Sequence, residues 1–385
     1  MTRNALRTPT AVTASLLLAA GVGISTTSPA TAGAHQAPDW EVVARHLNNP
    51  RQLTFTRDGT LYVAEAGRGG RGPCMTGPEG VPVCFGKTGA VTQVRHQRQR
   101  RVLTGLPSLA NQGSGSQAIG PGDLVVRQQR RFVIAVGLGA RPSVRKQLPP
   151  PGRAMGWLLK GTLRNNHIGW HRFANIAGFE ARANPVNNRD SNPVGLVRRP
   201  QGGYVVSDAG GNTLVRARPS GKVGLIATFP DRMVDAPPML GLPENAQIPM
   251  QAVPTSVAIG PDKAYYVSQL TGFPFPPGAA NIYRVVPGQA PTVYASGLTN
   301  VTDLAFGPGG VLYAVELASD GLLSTPEGRL PQGSLMRIPA GGGDPSEVVD
   351  DLPAPYGVAL RRGWAYLTTS STAARTGKVV RVRLP

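Results

Sequence analysis

Five acidic residues stand at recurring places in a strongly basic chain of net charge +19. Asp123 and Asp303 lie two residues after Pro121 and Val301, while Glu65, Asp208 and Glu316 end the apolar pentads LYVAE, YVVSD and LYAVE. If two-residue turns join the strands, the position before each core aliphatic faces the end of its pentad. That pairs Gln52 with Glu65, Gly195 with Asp208 and Asp303 with Glu316, with Asp123 adding a further acid on the same face. Two carboxylates about 6 Å apart repel by about 3 kcal/mol at an effective dielectric of 20. A ring of them needs protonation, arginine partners or a cation. Asp303, Glu316 and Glu65 are the candidate metal ligands, and calcium is the ion that all-oxygen ligation suits. Asp123 and Asp208 are candidate ligand-binding acids.

Other motifs exclude more than they suggest. The run GRGGRG at 67–72 matches a dinucleotide-binding spacing, but Pro73 and Cys74 follow where a helix should begin. No nucleophile elbow, H-E-x-x-H or EF-hand loop is present. The two cysteines, Cys74 and Cys84, close a short loop and are expected to form a disulfide, contributing roughly 3 kcal/mol by chain entropy.

The elements that must hold these residues repeat. Anchoring on Pro50, Pro121, Pro193, Pro254, Val301 and Pro355, a core aliphatic follows three residues on: Leu53, Leu124, Leu196, Val257, Leu304 and Val358. A second strand begins eleven residues after each anchor, and ten after the last. Asp58-Gly59 between two apolar runs predicts a type I′ hairpin turn in the first copy. Six such units predict an all-β, six-bladed β-propeller. The strand at 40–46 has counterparts before the other anchors, whereas nothing follows the final GKVVRVRLP. The N-terminal strand is therefore expected to pair with the last blade and close the ring. The small or polar set before the core aliphatics should face the crowded axis.

Long links at 67–87, 137–153, 230–252, 271–280 and 318–333 should gather on one face, where binding usually sits. Phe273 and Phe275, with the prolines between and after them, are the candidate apolar contacts there.

Residues 1–34 read as a secretory signal: Arg3 and Arg7, an apolar run at 11–24, then cleavage sites ending at Ala32 and Ala34. Residues 35–385 form the single propeller domain. The run is too short to span a bilayer, so an extracellular, monomeric protein is expected. The positive charge suits acidic partners such as wall polymers. The arginines are scattered apart from RHQRQRR at 95–101, which has no interleaved aromatics, so nucleic acid is not the expected partner.

The sequence resembles the ScyD/ScyE family, exported propeller-like proteins named for cyanobacterial scytonemin pigment biosynthesis. The resemblance rests on NNPRQLTFTRDGTLYVAEAGRGGRGPC, DSNPVGLVRRPQGGYVVSDAGGNTLVR, VPTSVAIGPDKAYYVSQLTGFPFPPGAANIYRVVPG and TNVTDLAFGPGGVLYAVE. It implies the fold and export, supplies no catalytic residues, and extends more weakly to six-bladed propellers of the NHL type. Together these readings point to a non-enzymatic binding or scaffold protein for a small molecule, peptide or acidic wall polymer. The alternative is a calcium-dependent hydrolase or lactonase working at the channel mouth. A quinone-dependent sugar dehydrogenase would need a channel-facing base, and none of the five histidines falls at such a position.

Overall fold

The computed structural model describes residues 40–77, 80–164 and 167–385. The signal segment and its cleavage sites at Ala32 and Ala34 lie outside the described residues. The remainder is a six-bladed β-propeller. Blade 1 runs Pro50–Phe55, Leu61–Glu65, Pro82–Arg95 and Arg98–Asn111, with the short strand Cys74–Thr76 also paired to its long third strand. Blades 2 to 5 open with the inner strands Pro121–Val126, Pro193–Arg198, Pro254–Ile259 and Val301–Phe306. Blade 6 is built from Val358–Arg361, Trp364–Thr369, Gly377–Arg383 and, as its outermost strand, Trp40–Leu47. The ring is thus closed by both ends of the domain. Trp40 faces Val382 and Leu47 faces Gly377, and Arg381 donates to Glu41 at 2.6 Å across the same pair.

The turns differ from expectation in five of the six blades. Gly59 N–H donates to the Thr56 carbonyl and Thr56 N–H to the Thr60 carbonyl, with Gly59 at φ 86°. This is a three-residue loop ending in a left-handed residue, not a two-residue type I′ turn. Asp58 accepts from Thr56 Oγ1 and Thr60 Oγ1, which holds the loop. Arg130, Gly202 and Lys263 take the same left-handed position in the next three blades. The last blade is one residue shorter, and there Arg362 and Gly363 both have positive φ in a two-residue turn.

A second irregularity shifts the register at the other end. In blades 1 to 5 a bulge falls between the anchor and the core aliphatic. Pro50 therefore faces Glu65, Pro193 faces Asp208 and Val301 faces Glu316, while Asp303 faces Val315. The expected pairings of Gln52 with Glu65, Gly195 with Asp208 and Asp303 with Glu316 are corrected: the three-residue turn moves the register by one place, so that Gly195 faces Ser207, and the bulge moves the anchor by one more. Hydroxyls on the second strand satisfy the amides that the bulge frees. Ser207 accepts from Gly195 N–H, Ser268 from Ser256 N–H and Thr368 from Gly357 N–H.

Apolar residues from facing sheets fill the gaps between blades. Val63, Leu61 and Leu53 pack with Leu47 and Val379, and Val205 and Leu214 with Val257 and Val267. Each such side chain contributes roughly 1.5–3 kcal/mol when withdrawn from water. At the axis the inner strands approach so closely that a Cβ on Gly195 would lie 2.7 Å from Ser256 Cα. One on Gly357 would meet Gln52 Cα at the same distance.

Ring closure yields a test. Deleting the last ten residues removes the strand that joins the first strand to blade 6. The expected outcome is cooperative loss of the whole fold by circular dichroism. A truncated protein with an unchanged melting temperature would contradict the closure.

Candidate anion-binding site

The predicted acids separate into two sets, and both are held by donors from the fold. Asp123 and Asp303 project from inner strands and join neighbouring blades. Asp123 accepts from Leu124 N–H at 2.6 Å and from Leu196 N–H of the next blade at 2.7 Å. Asp303 accepts from Leu304 N–H, from Val358 N–H of the next blade and from Ser256 Oγ of the previous one. Gln52 reaches across the axis, donating to the carbonyls of Thr255 and Thr302. The predicted axial set of small and polar residues thus faces the centre and fills it.

Glu65, Asp208 and Glu316 instead lie at the ends of second strands and hold the chain entering each inner strand. Glu65 accepts from Asn48 N–H and Thr92 Oγ1, and Arg101 binds it through two nitrogens at 2.8 and 2.9 Å. Glu316 accepts from Thr299 N–H and Ser334 Oγ, and Asp208 from Asn192 N–H and Ser191 Oγ. Each of Glu65, Asp303 and Glu316 has its own donors, so the three do not share one cradle. Among the described residues, no group of three or more His, Cys, Asp or Glu side chains is arranged to hold a metal ion. Gln269 replaces a carboxylate at the same place in blade 4 and accepts from Asn281 N–H.

The expected disulfide is present, joining Cys74 and Cys84 across a strand pair in blade 1. Phe273 is exposed at a loop tip and Phe275 stands edge-on to it, ring centres 6.4 Å apart. The adjoining hairpin, Arg232–Asp235 with Gln247–Met250, exposes Met233, Met239, Leu240 and Leu242 in and beside its connection. These form an apolar rim on the loop face.

The feature that sequence reasoning missed lies on the opposite face, among the turns. A cleft of about 870 Å³ is lined by Arg57, Arg95, Arg127, Arg130, Arg131 and Arg198, with Asp58 as its one acid. The three-residue turns of blades 1 and 2 supply Arg57 and Arg130, Arg127 and Arg131 flank the second turn, and the ends of neighbouring strands supply Arg95 and Arg198. A second cleft of about 460 Å³ shares Arg127, Arg131 and Arg198 and adds Lys160, His171 and the rings of Phe173 and Tyr204. Arg95 lies 3.9 Å from Asp58. Arg57, Arg127, Arg130, Arg131 and Arg198 are exposed and make no side-chain hydrogen bond or ion pair with the described residues. Five like charges at one cleft raise the local potential and attract anions. The guanidinium fork matches a carboxylate or phosphate in two-point contact. The signal available in the sequence was RQQRR at 127–131, placed in a turn equivalent to RDG at 57–59.

No protein-family model and no curated protein matches the chain. Solved structures do. A glucose dehydrogenase is 14% identical over 90% of this chain and all of that one, with a TM-score of 0.51. A gluconolactonase from Xanthomonas campestris is 12% identical over 89% of this chain and 88% of that one, TM-score 0.50. Virginiamycin B lyase from Staphylococcus aureus is 11% identical over 90% and 99%, TM-score 0.45. What they share with this chain is the fold.

Two buried acids, one axial and one at a second-strand end, make stability depend on pH. Withdrawal from water pushes Asp303 up to about 7 despite its three donors, and Asp208 up to about 6 for the same reason. An acid with a folded value above its unfolded one binds more protons when folded, between the two values. Stability from these groups is therefore complete below about pH 4 and declines as pH rises towards 7. Urea unfolding at pH 4.5 and 7.5 should show a fall on the order of 5 kcal/mol. Asp303→Asn should make the decline shallower. A profile rising across this window in both proteins would contradict the assignment.

Proposed function

We propose that this protein is a secreted, non-enzymatic propeller that binds an acidic polymer of the cell envelope in the arginine-lined cleft on its turn face. The observation that carries the reading is the set of five exposed, unpartnered arginines at one cleft. Two adjoining clefts share three of those arginines, so the cationic surface runs across blades 1 to 3. Together they exceed the few hundred Å³ that hold a typical small ligand, and suit a chain bearing repeated anionic groups. The resemblance to the exported ScyD/ScyE proteins supports placement outside the cell. The disulfide is compatible with that setting, and no helix among the described residues is long and apolar enough to cross a membrane. The acids named as possible hydrolytic groups are occupied in joining strands and blades, which favours binding over catalysis.

Titration against polyphosphate and against a polyuronate tests the reading. Binding should weaken steeply with salt, because mobile salt ions screen exposed charges. Arg127→Glu combined with Arg131→Glu should lower affinity at least tenfold and flatten the salt dependence. The melting temperature should change by no more than about a degree, since both side chains are exposed. Affinity unaffected by the double change would refute the cleft as the site, and turnover of the polymer would refute a binding-only role.

A further inference from the structure

Blade 3 ends its second strand differently from blades 1 and 5. In those blades a glutamate reaches a hydroxyl on the third strand, Thr92 for Glu65 and Ser334 for Glu316. In blade 3 the residue is Asp208, one methylene shorter, and Thr213 stands directly opposite on the third strand. Directly opposed residues share a face of the sheet. Thr213 is nevertheless fully buried with its hydroxyl unpartnered, while Asp208 turns to Ser191 Oγ, Asn192 N–H and Gly211 N–H.

A second carboxylate enters this space from outside the blade. The helix Ile176–Ala183 is capped by Asn175, whose side chain accepts from Gly178 N–H, and ends at Asn184 in the left-handed region. It delivers Glu180, which is 0% exposed, and neither of its carboxylate oxygens has a partner. An isolated buried carboxylate is costly, and a second beside it raises the cost. Gly211 shows where the two meet. A Cβ built there would lie 3.0 Å from Glu180 Oε2 and 3.3 Å from Asp208 Oδ2. Gly211 lies outside the left-handed region, so its backbone does not require glycine. What the missing Cβ provides is room between two carboxylates.

We propose that Glu180, Asp208 and Thr213 form a buried calcium site, with Gly211 leaving space for the ion. The donors are all oxygens, two of the groups are anionic, and calcium tolerates the irregular arrangement that a helix and two strands provide. Bound calcium would tie the helix to blade 3. The site shares no residue with the arginine-lined clefts, and its test does not involve the acidic polymer.

The experiment uses the full mature chain after chelation. Equilibrium dialysis with calcium should give one bound ion per chain, and 1 mM calcium should raise the melting temperature by several degrees. Glu180→Gln should lower calcium affinity at least a hundredfold. It should also raise the melting temperature of the calcium-free protein, because one of two repelling charges is gone. Gly211→Ala, which keeps both carboxylates and fills the space, should lose calcium binding as well. No bound calcium in the parent protein overturns the proposal and leaves a shared proton as the balance of charge. Calcium binding retained in either variant overturns it too, by placing the ion elsewhere.

Discussion

Six strands converging on one axis must satisfy their backbone amides with almost no room to do so. That constraint shapes this protein more than any other. The solution is a short carboxylate shared between blades. Asp123 and Asp303 each accept one amide from their own strand and one from the next blade. Thr255 and Thr302 extend the same device with hydroxyls that donate to Val301 and Tyr356 carbonyls. Glycine at 195 and 357 lets the neighbouring strand pass where no Cβ would fit.

This arrangement decides where chemistry can occur. Carboxylates that a reader would assign to a metal or to acid–base work are buried and engaged by backbone donors. Arg51 is drawn into the same architecture, donating to Ser371 and Ala118 carbonyls and stacking 4.6 Å from the Tyr356 ring. The centre of the propeller is therefore a structural hub. Charge without a hydrogen-bond partner among the described residues includes the arginines of the cleft among the turns and, buried beside blade 3, the carboxylate of Glu180.

The irregularities of the blades follow from their geometry. A bulge after the anchor in blades 1 to 5 bends the inner strand and frees an amide, which Ser207 and Ser268 on the adjacent strand take up in blades 3 and 4. The left-handed residue in each turn compensates at the opposite end. Where the last blade lacks one residue, it lacks the one that completes the three-residue turn, and two positive-φ residues replace it. The turn face thereby brings arginines from different places in successive blades onto one surface.

Much of this was legible in the residues. Six anchors at regular spacing, each followed by a core aliphatic, specified the blades, because period-two burial and turn chemistry are local properties of a chain. The unmatched first strand specified the closure, and two cysteines in one short loop specified the disulfide. Register was not legible: a three-residue turn in place of a two-residue one moves every partner by one place, a bulge moves the anchor by another, and neither leaves a distinct mark on composition. Nor was the cleft, because Arg57, Arg127 and Arg198 stand about 70 residues apart and become neighbours only when successive blades turn about the axis. Glu180 met Asp208 for the same reason. Which strands exist was decided by local sequence; which charges meet, and which are left without partners, was decided by closing the ring.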